Sequence, residues 1–201
     1  MLVYLGRSRK LGTNYSAHVP EASKLKVYAD SNWSVTRSTT GFVIMLAGAS
    51  ICAVSRRQHC ITMSSCEAEL VALADTAIEL LHVMGVVSFL GLDVSEAIEV
   101  NTDSKAAYDL CHRFTSAQNS RHVDRKLFKM RELRGMGMVN VRHIPGDTNP
   151  ADIFTKILSR QLFERHRKTI LNIPSDASSD SVRDASAAGC AVSRRDGTGA
   201  P

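Results

Sequence analysis

The sequence predicts an α/β domain built on a mixed sheet. Three observations carry that prediction. Apolar, β-branched runs crowd the first third of the chain, and a glycine separates two of them as a hairpin requires. Later runs of this kind alternate with stretches of helical periodicity. The resulting order is helix, three strands, helix, strand, helix, helix, strand, helix, which places hairpins on one side of a sheet and βα units on the other. With 201 residues, 44% of them hydrophobic, the chain suffices for one ordinary domain and a tail.

Residues 1–22 read as a short helix and a connector, in which Gly12 and Asn14 follow an apolar patch. Residues 24–30 form a strand with Val27 and Tyr28 on opposite faces. Residues 40–47 and 50–55 make a hairpin around Gly48. A further short strand is expected over 58–63, after the Arg56-Arg57 turn. Ser64 is a good N-cap, and Glu67 completes a capping box. Leu70, Leu73, Ala77, Leu80, Leu81, Met84 and Val87 then recur at helical spacing, and Gly91 is the C′ stop. Residues 97–102 read as a strand, and Ser104 starts a helix through Cys111. Residues 123–134 form a basic amphipathic helix ended by Gly135. Residues 138–144 are a strand, 145–149 a loop, and Pro150 takes the first turn of a helix. A last helix covers 160–171. The domain thus spans 23–172. Residues 173–201 are a disordered tail, since Ser, Asp, Ala and Gly dominate after Pro174.

Composition excludes several function classes. No uninterrupted apolar run approaches the ~20 residues of a membrane span, and the first ten residues lack a signal-peptide pattern. Five cysteines, odd in number and without CxxC spacing, read as reduced residues of an intracellular protein, not as a zinc site. No Ser-His or Cys-His constellation suggests a covalent nucleophile. Charge is uneven: residues 121–168 hold twelve Lys/Arg against five Asp/Glu, within a chain of net charge +5. A basic half beside an acidic site suits a polyanion gripped in one place and cut in another. The run taken alone also reads as a solvated helix face.

Four carboxylates stand where strands end or helices begin: Asp30, Glu69, Asp103 and Asp152. Each alone reads as a cap or turn residue. Together, from separate elements, they form an expensive cluster unless cations compensate it. Oxygen-only ligation favours Mg²⁺ or Mn²⁺ over zinc. Two such ions about 3.5–4 Å apart support in-line phosphodiester hydrolysis.

The segments YADSNWSVTRSTTGFVIML, SRRQHCITMSSCEAELVAL, VNTDSKAA, SRHVDRKLFKMREL and IPGDTNPADIFTKIL resemble the RNase H domain of copia-type LTR retrotransposon Pol polyproteins, from about Leu2 to Leu171. The opening YLGRSRKLGTNY is similar to that family's connection between reverse transcriptase and RNase H. The resemblance implies an RNase H-like fold, with a five-stranded mixed sheet flanked by helices. It also implies an endoribonuclease that cuts the RNA strand of RNA–DNA hybrids in reverse transcription, with two Mg²⁺ or Mn²⁺ ions as cofactors. Asp30 would bridge the two metals, Glu69 and Asp103 would hold the one on the leaving-group side, and Asp152 the one on the water side. Glu67 competes with Glu69, but the family pattern sets the ligand directly before the apolar run. The partners implied are the hybrid and the reverse transcriptase of the same polyprotein, with no membrane; the location implied is cytoplasmic.

Ser31 and Asn32 would meet the minor groove, where a 2′-hydroxyl distinguishes RNA from DNA. Arg121, Arg125, Lys126, Lys129 and Arg131 would track a phosphate backbone. His122 and Asp124 match the family's HxD segment and read either as phosphate contacts or as helix capping. Trp33 reads as a core residue. The chain departs from the pattern in two places. Asp147 stands after Pro-Gly where cellular RNases H carry a histidine, with His143 the nearest alternative, and the stretch from Trp33 to Ser38 is short. A second reading is a catalytically inactive remnant that at most binds nucleic acid; a third keeps the fold but changes the substrate, as a junction-resolving or transposase-like nuclease.

Overall fold

The computed structural model describes residues 4, 6, 8–18, 24–93, 96–112 and 121–173, with side chains omitted over 121–124. Five strands form one mixed sheet in the order β3-β2-β1-β4-β5. They are β1 (Lys26–Asn32), β2 (Thr39–Leu46), β3 (Ala49–Arg57), β4 (Ile98–Thr102) and β5 (Val139–His143). The first three pair antiparallel, whereas β1, β4 and β5 run parallel. The expected α/β class and five-stranded mixed sheet are present.

β1 is central, and Val27 and Ala29 are fully buried in it. The strand continues past the expected end at Asp30, because Ser31 and Asn32 still pair with Thr40 and Thr39. The β2–β3 turn has positive φ at both Ala47 and Gly48. This twist matches that of the flanking strands and makes a tight hairpin. β3 is an edge strand that alternates inward and outward side chains.

The strand expected over 58–63 does not form. β3 runs to Arg57 and then leaves the sheet, because the Gln58 side chain turns inward. Its Nε2 donates to Thr40 Oγ1 (3.1 Å) and to the Ala68 carbonyl (2.9 Å). Trp33 also departs from the expected core position. It is 42% exposed, with its indole N–H donating to the Thr62 carbonyl at 3.1 Å. β1 ends at Asn32, so Trp33 falls on a surface loop and not in the core.

The helices are α1 (Ser65–Phe89), α2 (Lys105–His112), α3 (Arg121–Gly135) and α4 (Arg160–Leu171). Ser64 Oγ accepts from the Glu67 N–H, and the Glu67 carboxylate accepts from the Met63 N–H at 2.7 Å. The capping box therefore closes one residue further out than its usual form. α1 ends at Phe89 and is capped by Leu90, with Gly91 following at φ +81°. By length and composition α1 is long and apolar enough to cross a membrane, yet over half of that stretch is buried inside the fold. Leu70, Leu73, Ala77 and Leu80 pack it into one core with Val27, Phe42, Val100, Leu127, Met130 and Val141.

The helix expected at Pro150 is a five-residue 3-10 helix, Pro150–Phe154, capped by the Asn149 side chain. Near the N-terminus, residues 4, 6 and 8 are helical, and the segment behind them is tied to the domain. Asn14 N–H donates to the Leu171 carbonyl, Ser16 N–H to the Ala47 carbonyl and Tyr15 Oη to the Ser50 carbonyl. Residues 1–3, 5, 7 and 19–22 of the expected helix and connector, residue 23, and the expected tail from 174 onward lie outside the described residues. Cys52, Cys60, Cys66 and Cys111 are free thiols.

Candidate metal centre and nucleic-acid interface

Parallel pairing aims the carboxyl ends of β1 and β4 at the same edge of the sheet, where ligand sites of α/β sheets gather. Asp30 stands near the end of β1 and is fully buried. Asp103 follows β4 directly, and Glu69 projects from the second turn of α1 with 9% exposure. One carboxylate oxygen from each of the three lies within 4.8 Å of the other two. Asp152 is not part of that group. It reaches Asp30 through a cation, since Lys156 Nζ lies 3.1 Å from Asp30 Oδ1 and 2.9 Å from Asp152 Oδ1.

Backbone packing explains how residues so distant in sequence meet. Gly41 is the β2 partner of Asp30. A Cβ there would stand 2.5 Å from Thr155 Cγ2, 2.9 Å from Phe154 Cβ and 3.1 Å from the Ala151 carbonyl oxygen. Only glycine lets the 3-10 turn lie this close over the strand. The turn is pinned by Ser55 Oγ, which donates to the Phe154 carbonyl at 2.6 Å, and by Asn32 Nδ2, which donates to the Thr155 carbonyl at 3.2 Å. Thr155 Oγ1 in turn donates to Asp30 Oδ2. Asn149 is fully buried and links two strands: its Nδ2 donates to the Ala29 carbonyl (3.0 Å) and to Asp103 Oδ1 (3.3 Å).

Burial dominates the electrostatics. It pushes the Glu69 carboxyl up to about 8, helped by the charges of Asp30 and Asp103 and opposed by a hydrogen bond from Ser31 and by Lys156. It pushes Asp30 up to about 6, with Thr155 and Lys156 holding it down against Asp152 and Asp103. Burial also works against the Lys156 ammonium, but Asp30 and Asp152 outweigh it and raise its pKa. Among the described residues, Glu69 Oε1 accepts the Ser31 N–H alone, at 3.4 Å, and its buried Oε2 has no hydrogen-bond partner. An orphaned carboxylate oxygen facing two further carboxylates fits a hard divalent cation. Glu67 does not compete, because the Met63 N–H takes its carboxylate at the helix cap.

The residues read as nucleic-acid contacts have mixed positions. Asn32 is exposed beside the centre, whereas the Ser31 side chain is buried with its hydroxyl unpartnered. The backbone of Arg121 and His122 belongs to α3, and their side chains lie outside the described residues. Arg125 is exposed. Lys129 pairs with Glu132 at 2.9 Å on the surface, and Arg131 grips the Leu110 carbonyl. Lys126 is engaged within the fold, where it forms an ion pair with the buried Asp75. His143 Nε2 lies 3.1 Å from the Asp103 carbonyl oxygen, and Asp147 pairs with Arg165 at 3.2 Å.

Sequence reasoning missed Gly41, Asn149, Thr155 and Lys156. Lys156 carried a readable signal, since it follows Asp152 by one helical turn and the pair suits a charge contact. Asn149 before Pro150 also reads as an N-cap. Gly41 gave no local sign, because its neighbour comes from the far end of the chain.

Comparisons with known proteins bear on the fold and the family. No family model matches the chain. A retrovirus-related Pol polyprotein from transposon TNT 1-94 of Nicotiana tabacum is 31% identical over 144 residues, 70% of this chain and 11% of that protein. The corresponding polyprotein from transposon RE2 of Arabidopsis thaliana is 27% identical over 150 residues, 73% of this chain and 10% of that protein. The chain therefore spans about a tenth of the length of the curated relatives it matches. Among solved structures, LC11-RNase H1 isolated from compost superposes with a TM-score of 0.53 at 21% identity, over 66% of this chain and 93% of that one. The N-terminal RNase H domain of rv2228c from Mycobacterium tuberculosis gives 0.51 at 12% identity, over 72% and 96%. LC11-RNase H1 in complex with an RNA/DNA hybrid gives 0.50 at 18% identity, over 66% and 94%. With its sequence relatives and its fold pointing the same way, the chain belongs with the retrovirus-related Pol polyproteins of copia-type retrotransposons, as a segment that carries the RNase H fold.

Proposed function

We propose that this domain is a metal-dependent endoribonuclease that hydrolyses the RNA strand of RNA–DNA hybrids during reverse transcription. The observation that carries the reading is the Asp30–Glu69–Asp103 cluster, with a buried Glu69 oxygen that no described residue satisfies. Asp30, Glu69 and Asp103 would hold one Mg²⁺ or Mn²⁺, and Asp30 with Asp152 a second. Bound there, the cations would supply Lewis-acid stabilisation of a phosphodiester and lower the pKa of water. The chain's own residues do the positioning. Thr155 orients Asp30, Asn149 orients Asp103, and the Ser31 N–H orients Glu69. Arg125, exposed on α3, would meet the hybrid's backbone without reading bases, and Asn32, exposed beside the carboxylates, its minor groove. The remaining partner is the reverse transcriptase of the same polyprotein, and the cytoplasm is the place of action.

Cleavage of an end-labelled RNA–DNA hybrid by the purified chain tests this. RNA-strand cutting that requires Mg²⁺ or Mn²⁺ and is lost in Asp30→Asn is expected, with hybrid binding retained. Equal cutting of DNA duplexes would defeat the substrate assignment, and no cutting by folded protein under any metal would defeat the enzyme.

A further inference from the structure

The two flanks of Asp30 are compensated differently. On the side of Glu69 and Asp103 the carboxylates face each other, and Glu69 Oε2 has no partner. On the side of Asp152 a cation belonging to the chain already stands between the acids, as Lys156 Nζ at 3.1 and 2.9 Å from them. We propose that Lys156 is a built-in substitute for one divalent cation. It holds Asp30 and Asp152 together while metal is scarce, and it must withdraw before an ion can take the carboxylates it bridges. The inference deepens the metal-nuclease reading and rests on it.

Three features make such an exchange feasible. The Lys156 side chain is 37% exposed, so water is adjacent to its ammonium. Its stem is long and flexible, and it pairs as a point charge without the fixed geometry of a guanidinium. The residue itself lies just past the 3-10 helix, in a bend, so moving its side chain breaks no ladder of backbone hydrogen bonds. An ammonium and a divalent ion cannot share the same two oxygens at bonding distance, because both are cationic and their ligand shells overlap.

A loading order follows. The first ion enters the side that lacks a partner. Its charge then weakens the hold of Asp30 on Lys156, and only afterwards does the Asp152 side open. The lysine thus sets a metal threshold for completing the centre.

The experiment is a titration of the metal-free full chain with Mn²⁺, followed by calorimetry and by thermal unfolding in chelator and in Mn²⁺. Wild type is expected to bind one ion more tightly than a second. Lys156→Met should tighten the weaker event at least about tenfold, which corresponds to 1.4 kcal/mol. It should also unfold at a lower temperature in chelator, with that deficit shrinking or reversing in Mn²⁺. Lys156→Arg, which keeps the charge, should leave the second event weak. Lys156→Gln replaces the methionine variant if that one does not fold. Identical binding in wild type and the neutral variant would overturn the proposal, as would a stability deficit that Mn²⁺ leaves unchanged, or absence of Mn²⁺ binding in every variant. Asp103→Asn separates the two readings. If it removes the tighter event while Lys156→Met changes nothing, the metal centre stands and the role of Lys156 falls. If Lys156→Met tightens binding but no hybrid is cut, the exchange stands and the nuclease falls.

Discussion

Glu69 and Asp75 project from the same helix, are buried to 9% and 8% exposure, and are surrounded in opposite ways. Asp75 is neutralised within the fold, by Lys126 from α3 and by Arg56 Nη2 of β3 at 3.7 Å. Its carboxylate ties three elements together. Glu69 has a single long hydrogen bond from a backbone N–H, an oxygen with no partner, and two further acids as neighbours. A buried charge the fold compensates is architecture. One it leaves uncompensated lowers the stability of the fold and marks the place where, under the proposed function, a cation would bind.

Substitution at the two positions should therefore give opposite signs. Glu69→Gln is expected to abolish Mn²⁺-dependent cleavage, a loss of at least about a hundredfold, while raising the melting temperature in chelator. Asp75→Ala is expected to destabilise by about 2 kcal/mol, since it leaves two cations without their acceptor, and to leave Mn²⁺ affinity unchanged. Denaturant titration with calorimetry decides both, and equal signs would end the contrast.

Proton linkage sharpens the same comparison. The Glu69 carboxyl is raised from 4.5 to about 8 in the fold, so the folded chain keeps a proton that the unfolded chain has released across that interval. Metal-free stability should fall as pH rises from about 5 to about 8 and then level off, with Asp30 adding to the lower part of the range. Melting curves in chelator across that window should slope downward for wild type and flatten for Glu69→Gln. Mg²⁺ should stabilise more strongly at the alkaline end, where the acids are charged.

Smaller effects test the scaffold. Gly41→Ala should cost about 1–3 kcal/mol, because the new Cβ overlaps the turn that carries Asp152 and Thr155. Cleavage should drop with it even at temperatures where the domain stays folded. The smallest expected change separates two neighbouring basic residues. Arg125→Ala should weaken hybrid binding and reduce the salt slope by about one. Lys126→Ala should instead lower stability, because that ammonium is already taken by Asp75.

Much of the sheet was legible because its signals are local. The Gly48 turn, the Ser64 cap and the leucine spacing of α1 each specify their own few residues, and the resemblance to the copia pattern supplied the carboxylates. What escaped depends on long-range packing. A strand over 58–63 was reasonable on composition, but the buried amide of Gln58 redirects the chain toward Thr40 and Ala68. Trp33 reads as core by type and is exposed by position, one residue past the paired part of β1 where the loop begins. The i,i+4 spacing of Asp152 and Lys156 hints at their own contact, but no local pattern reveals that the same ammonium also reaches Asp30, 126 positions away.

The Asn149–Lys156 stretch also bears on synthesis. All five strands are complete by His143, yet Lys156 meets Asp30 across 126 positions of sequence. Contacts of such separation form late, after the loop-closure entropy of the intervening chain has been met. A ribosome-bound chain that has released its strands still lacks the Asn149 link, the Thr155 donor and the fourth carboxylate. The emerging polypeptide passes through a stage in which the sheet can exist and the assembled carboxylate site cannot, and only release of the Asn149–Lys156 stretch ends it.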